Sequence, residues 1–119
     1  MSARTVPKPA QRGVGISLIA GDETAAIVEQ LQLTQPSVNI TDRGVYLKAD
    51  AADEIVIDLT DLSTRLARPI EVEDVLIVVA SYFGEITPQR GTTPGTGFLI
   101  LRADDTVDPV DTESGDRIR

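Results

Sequence analysis

The sequence of 119 residues contains no histidine, no cysteine and no tryptophan. Without histidine there is no imidazole to act as a general base or a metal ligand. Without cysteine there is no thiolate nucleophile, no thiolate metal site and no disulfide. These absences remove most of the side chains on which enzymes rely. They predict a protein that is not an enzyme and that acts by binding another protein.

Aromatic residues are scarce and charge is unbalanced. Aromatics make up 3% of the chain and hydrophobic residues 41%, so we expect one small domain with an aliphatic core. No apolar run approaches the roughly 18 residues of a membrane helix, and the first dozen residues lack the apolar segment of a secretory signal. We therefore expect a cytoplasmic protein with no membrane contact. The net charge of −8 opposes nucleic-acid binding and favours a partner with a basic face.

The two ends differ in composition from the middle. Residues 1–12 contain three cations, no acid and two prolines, which predicts a flexible basic N-terminal arm. Residues 103–119 are rich in Asp and Glu and poor in apolar residues, which predicts a disordered acidic tail. Residues 13–102 form the predicted folded domain, and a monomer is the default expectation.

Hydrophobic periodicity in the middle predicts strands and helices in a regular order. The expected strands are Val14–Leu18, Ser37–Thr41, Val45–Ala49, Glu54–Leu59, Val75–Ala80 and Phe98–Leu101, and the expected helices run from Asp22 to about Leu31 and from Thr60 or Asp61 to before Pro69. Thr87–Gly97, rich in Gly and Pro, is predicted to be a long flexible loop. The order indicates an α+β fold with two β-α-β-β-like halves that form a sheet with two packed helices.

The strongest local signal is a hairpin at Asp42-Arg43-Gly44, with glycine where such a loop needs a positive φ. Alternation along the next strand predicts that Val45, Leu47 and Ala49 face the core. Tyr46 and Lys48 then lie on the opposite face. Tyr46 either covers the sheet or contacts a partner, and tyrosine is enriched among the residues that dominate interface energies.

A second candidate surface is Ser81-Tyr82-Phe83-Gly84, which places two aromatic residues together at a strand end. Tyr82 favours partner contact, whereas core packing and partner contact explain Phe83 equally well. Adjacent carboxylates at Asp53-Glu54 and Glu73-Asp74 could act as acid–base pairs, but their positions at element ends favour helix capping and solvation.

The chain also resembles a known family, and the ordered set of motifs carries the resemblance. The motifs are Val14-Gly15-Ile16 to Ala20-Gly21-Asp22, Asp42-Arg43-Gly44-Val45-Tyr46, Ile55 to Asp58, Arg68-Pro69-Ile70 and Ser81-Tyr82-Phe83-Gly84. Over roughly Gly13 to Ile86 they resemble the coupling (effector) proteins of soluble diiron monooxygenases. That family includes methane monooxygenase component B and the regulatory components of phenol, toluene and alkene monooxygenases.

The resemblance implies a cofactor-free regulatory protein that docks on a hydroxylase subunit above its diiron centre. Docking would reshape helices around the iron site, tune substrate and oxygen access, and couple electron use to hydrocarbon oxidation. It would place Asp42, Arg43, Gly44 and Tyr46, together with the segment from Ser81 to Gly84, against the hydroxylase. Likeness to coupling proteins of the actinobacterial type favours a short alkene or alkane as the hydrocarbon.

One departure from the family pattern limits this comparison. The methane protein has small polar residues where this chain has Tyr82, so the details of substrate gating do not transfer. A reading from another class remains, that of a small-molecule-sensing domain with a ferredoxin-like fold. Its ligand loop would be the glycine-rich segment from Gly91 to Gly97.

Overall fold

The computed structural model describes residues 13–103. The predicted basic arm, and all of the predicted acidic tail except Ala103, lie outside the described residues. Within the described range, none of the helices is long and apolar enough to cross a membrane.

Seven strands and three helices follow one another along the described part of the chain. They are β1 Val14–Ile19, α1 Asp22–Thr34, β2 Asn39–Asp42, β3 Tyr46–Ala51, β4 Glu54–Asp58, α2 Leu59–Leu66, α3 Val72–Val78, β5 Val79–Phe83, β6 Glu85–Arg90 and β7 Gly97–Arg102. Most predicted strands are present within a residue or two of their expected bounds.

The strands form two antiparallel sheets. The first sheet has the order β2-β3-β1-β5 and the second has the order β4-β7-β6. The predicted α+β class is confirmed. Two details differ, because the described residues form two sheets instead of one and three helices instead of two.

One aliphatic core joins both sheets and all three helices. It contains Ile16 and Leu18 from β1, Ile27 and Leu31 from α1, and Ile57 from β4, each exposed by at most 1%. Other core residues come from α2, α3 and β7. The side chains that alternation and helical spacing assigned to the core are therefore mostly buried, as the sequence predicts.

The run Val75–Ala80 was expected to be a buried strand, and that expectation is wrong for its first four residues. Helix α3 continues to Val78, and only then does the chain become extended. The helix begins beside Glu71, whose backbone N–H donates to Asp74 Oδ2 at 2.9 Å. Val72 and Val75 are buried, whereas Ile77 is 75% exposed. The buried valines are three residues apart, which is a helical spacing. This spacing is not evident in the sequence because the neighbouring residues of the run are also apolar.

The other differences concern element ends. Asp58, and neither Thr60 nor Asp61, caps α2, because its carboxylate accepts the N–H groups of both. The expected loop from Thr87 is wrong up to Arg90, because β6 pairs with β7 across this stretch. Pro88 is tolerated there since β6 is an edge strand of its sheet.

Two glutamine side chains cover the edge of β4 that pairs with no strand of the described residues. Gln30 lies in α1, and Gln35 follows the last residue of that helix. Gln30 donates to the Asp58 carbonyl at 2.9 Å and accepts from the Asp58 N–H at 2.7 Å. Gln35 donates to the Glu54 carbonyl at 3.1 Å and accepts from the Val56 N–H at 2.7 Å. Each side-chain amide thus takes the place that a neighbouring strand would occupy. These bonds tie α1 to the second sheet.

Candidate partner-binding surface

The β2–β3 hairpin has the tight turn that its sequence predicts. Asp42 Oδ1 accepts the Gly44 N–H at 2.7 Å, and the Val45 N–H donates to the Arg43 carbonyl at 3.1 Å. Gly44 has φ 85°, so the predicted positive φ is confirmed. The Arg43 N–H donates to the Tyr46 carbonyl at 2.9 Å and closes the hairpin. Asp42, Arg43 and Gly44 are therefore fixed in place and exposed.

The strand register decides which side chains share a face of the first sheet. Ile16 pairs with Ala49 and Leu18 with Leu47, and these belong to the side that faces the core. Paired residues of an antiparallel ladder lie on the same face, and the faces alternate along each strand. We call the other side of this sheet the outer face. In β1, β3 and β5 it carries Gly15, Ser17, Ile19, Tyr46, Lys48, Asp50, Ser81 and Phe83.

The expected facing of β3 is confirmed for Ala49, which is buried, and Tyr46 and Lys48 lie on the outer face as predicted. The expectation for Val45 is wrong. Its side chain is 77% exposed because it belongs to the turn and lies before the first residue of β3. Leu47 is only half-buried.

Strand β1 lies between β3 and β5, and so joins the two candidate segments. Ser17 pairs with Lys48 on one side and with Ser81 on the other. The structure thereby brings Tyr46, Lys48, Ser81 and Phe83 onto one face, although 33 residues or more separate the two segments. An open depression of about 190 Å³ lies between them, lined by these four residues, by Tyr82 and by residues of β1.

The remaining two candidates occupy different positions. Tyr82 pairs with Ile16, so the register directs it to the opposite face of the edge strand β5, where it is 49% exposed. The register of β5 against β1 shifts at a bulge at Ala80, two residues before Tyr82. Ser17 opposes Ser81, whereas Leu18 opposes Val79. Gly84, with φ 104°, is the point at which the chain leaves the first sheet for the second.

Phe83 lies across the α-carbon of its cross-strand partner Gly15. A Cβ atom added at Gly15 would come within 2.3 Å of Phe83 Cε1. Phe83 nevertheless stays 40% exposed, so one side of the ring covers the strand and the other meets solvent. The ring therefore packs on the outer face of the sheet and not in the core, and contact of its exposed side with a partner stays a prediction.

Sequence analysis missed four residues of the outer face, which are Gly15, Ser17 and Ile19 in β1 and Asp50 in β3. The alternation that assigned Val14, Ile16 and Leu18 to the core contains the signal, because it directs the residues between them outward. Ile19, which is 49% exposed, pairs with Tyr46 and adds to the apolar part of the face.

The carboxylate pairs have structural partners. The Arg90 guanidinium donates to both oxygens of Glu73 and lowers the pKa of that carboxyl group. Arg102 Nε lies 3.2 Å from Glu54 Oε1. Asp74 accepts the backbone N–H of Glu71. Asp74 thus takes part in capping α3, as expected, whereas the ion pairs of Glu54 and Glu73 were not part of that expectation.

The glycine-rich segment is held in place by its own backbone contacts. The Gly95 N–H donates to Glu71 Oε2 at 2.7 Å, and the Gly95 carbonyl accepts from Ser63 Oγ at 2.9 Å. A Cβ at Gly95 would meet that same Oγ at 2.7 Å. Both backbone groups with which Gly95 could bind a ligand, its N–H and its carbonyl, therefore already form hydrogen bonds within the protein.

The candidate site is thus an open, exposed surface on a two-sheet α+β fold. Family comparison gives the particular assignment. Residues 12–93 match the model of the MmoB/DmpM family, and the chain belongs to that family. It is a family of regulatory, non-catalytic components of monooxygenases, which confirms the prediction of a regulatory protein that is not an enzyme.

A curated relative supports the same assignment. The chain is 32% identical over 93 residues to the methane monooxygenase regulatory protein B of Methylococcus capsulatus (strain ATCC 33009 / NCIMB 11132 / Bath). The match covers 73% of this chain and 62% of that protein, so the chain spans less than two thirds of its relative.

Solved structures share the fold. A chain from the structure of a phenol hydroxylase–regulatory protein complex superposes with a TM-score of 0.63 at 20% identity, covering 77% of this chain and 99% of that one. The soluble methane monooxygenase regulatory protein B gives a TM-score of 0.61 at 23% identity, covering 89% of this chain and 72% of that one. These similarities confirm the α+β fold.

Proposed function

We propose that this chain is the cofactor-free coupling component of a multicomponent bacterial monooxygenase and binds the diiron hydroxylase component of that system. The observation that carries the proposal is the family match over residues 12–93, which contain all nine candidate interface residues. Similarity in fold to chains from two phenol hydroxylase–regulatory protein complexes supports a hydroxylase as the partner.

Docking by the outer face of the first sheet and by the Asp42–Gly44 turn is the binding mode that best explains where the candidate residues lie. Tyr46 and Phe83 supply apolar surface on that face, and Lys48 and Ser81 supply polar groups beside it. Large aromatic side chains among smaller polar ones are typical of the residues that dominate interface energies.

Regulation by such a surface needs only differential binding. The protein shifts the hydroxylase toward an active conformation to the extent that it binds that conformation more tightly. A shift of about 100-fold requires roughly 2.7 kcal/mol of coupling free energy, which a few well-packed side chains supply. In this way the chain would tune substrate and oxygen access and couple electron use to oxidation of a hydrocarbon, a short alkene or alkane, in the cytoplasm.

Reconstitution with purified components tests the proposal. A purified diiron hydroxylase and its reductase are assayed with and without the protein, and product formed is compared with reductant consumed. We expect the yield of product per reductant to rise with added protein and to saturate near one protein per active site. An unchanged rate and yield, together with no complex detected by size-exclusion chromatography, would overturn the proposal.

A further inference from the structure

Some of the cationic side chains in the described residues form ion pairs and others do not. Arg65 forms ion pairs with Asp61 and Glu29, Arg68 with Glu23, Arg90 with Glu73, and Arg102 with Glu54. Between residues 13 and 103 this leaves only Arg43 and Lys48 without a carboxylate of that range within ion-pair distance. Both belong to the β2–β3 hairpin, and so to the surface proposed to bind the hydroxylase.

The side chains near these two cations are uncharged or already accept another hydrogen bond. Lys48 is half-buried between hydroxyl side chains, since its cross-strand partners are Ser17 and Thr41. Arg43 is exposed at the tip of the turn. The carboxylate next to it, Asp42, accepts the Gly44 N–H. Asp50 lies on the outer face two residues beyond Lys48 and forms no ion pair with it.

The charge of this surface differs from that of the rest of the described chain. Asp42, Arg43, Lys48 and Asp50 sum to zero, whereas the other residues from 13 to 103 contain eleven Asp and Glu against four Arg. The proposed binding surface is therefore less acidic than the rest of residues 13–103. The overall charge of −8 suggested a partner with a basic face, but the hairpin carries two cations that form no ion pair with a carboxylate of residues 13–103.

We propose that Arg43 and Lys48 contact an acidic surface of the hydroxylase, and that this contact fixes the orientation of docking. The inference rests on the proposed function and specifies the chemistry of the partner. Docking against a basic surface would bury both cations against like charge, which is costly. An acidic partner would instead repel the rest of residues 13–103, which is more acidic than the hairpin face. The charges of Arg43 and Lys48 then favour the orientation in which this face is bound.

Charge variants with matched controls test the sign of the partner surface. Arg43→Gln and Lys48→Gln each remove one unpaired cation, and Lys48→Glu reverses one. Arg90→Gln and Arg102→Gln change the net charge by the same amount in the second sheet, where both cations are paired. The dissociation constant of each variant for the purified hydroxylase is measured by titration calorimetry at low and high salt, and thermal unfolding reports whether each variant is folded.

We expect about a fivefold weaker complex for each neutralised hairpin cation and about tenfold for Lys48→Glu, with smaller differences at high salt. The two controls should bind within about twofold of the wild type. Unchanged or tighter binding by folded Lys48→Glu, or equal weakening by the controls, would overturn the inference while leaving the proposed function standing. If the wild-type protein itself fails to bind the hydroxylase, both proposals fall.

Discussion

Phe83 on β5 covers Gly15 on β1, its directly paired residue, and the fit requires that position 15 carry no side chain. The gap between Phe83 Cε1 and a Cβ placed at Gly15 would be 2.3 Å. An aromatic ring that lies over a cross-strand glycine shields backbone that would otherwise be open, and this is a known way to stabilise a glycine in a strand. Here it also holds the ring on the outer face.

Gly15→Ala should therefore displace the Phe83 ring with little effect on the fold, because the contact is with the far end of a side chain that can rotate. We expect a change of about 1 kcal/mol or less in the free energy of unfolding and weaker binding to the hydroxylase. Denaturant unfolding and titration measure the two quantities separately. Gly21→Ala is the control for binding, since the nearest atom to its added Cβ is 4.0 Å away. Because Gly21 is the N-cap of α1, we expect a loss of stability of about 1 kcal/mol or less and unchanged binding.

Gly84→Ala should be strongly destabilising. Gly84 has φ 104°, and its added Cβ would lie 2.6 Å from the Arg102 carbonyl oxygen and 2.9 Å from Val14 Cγ2. Backbone strain and a clash with backbone add, so we expect a loss of about 3 kcal/mol or more. Gly44→Ala shares the positive φ but meets no atom within 4 Å, so it should cost only about 1–2 kcal/mol. Equal losses for the two variants in urea unfolding would contradict this explanation.

Gln30→Ala should weaken the join between α1 and β4. The Gln30 side chain is 1% exposed and satisfies both backbone groups of Asp58. Its removal leaves two shielded polar groups without partners, which we expect to cost about 2–4 kcal/mol. Amide hydrogen exchange at Asp58 should accelerate along with this loss. The exposed neighbour on the same helix, Gln32→Ala, should leave both the stability and the exchange rate unchanged.

Asp61 should give the protein a pH-dependent stability. Hydrogen bonds from Arg65 and then from Gln30 lower the pKa of Asp61 below its ordinary value. A carboxyl group whose pKa is lower in the folded state stabilises the fold above its unfolded pKa, about 3.9, and loses that contribution as pH falls through the folded value. The difference in free energy of unfolding between wild type and Asp61→Asn should therefore be present at pH 7 and shrink below about pH 4. If the difference stays constant down to pH 2, Asp61 is not the source.

Tyr46→Ala should reduce product formed per reductant at limiting protein concentration, without unfolding the protein. Sequence analysis left Tyr46 between covering the sheet and partner contact and favoured contact for Tyr82, but the register directs the two side chains to opposite faces of the sheet. We expect Tyr46→Ala to weaken hydroxylase binding by about tenfold or more, in the range of an aromatic contact residue. Tyr82→Ala should have the smaller effect if docking uses the outer face. The reverse order of effects would place the interface on the other side of β5.

Several properties of this protein follow from its amino-acid sequence alone. The absence of His and Cys excluded imidazole and thiolate chemistry, since no folded arrangement can supply a side chain that the chain lacks. The turn at Asp42–Gly44 and most of the strands were also predictable, because a tight turn and an alternating strand depend on neighbouring residues alone. The outer-face positions of Tyr46 and Lys48 followed from the same alternation.

Tertiary structure decided what depends on contacts between distant residues. Val75–Val78 favours a strand by composition and forms a helix because its valines pack in the core and its first turn is held at Glu71. Only the pairing of β1 with both β3 and β5 brings Tyr46 and Phe83 onto one face and seats the ring on Gly15. Local periodicity sets the direction in which a side chain points, whereas the order of strands in the sheet, fixed by long-range packing, decides which side chains become neighbours.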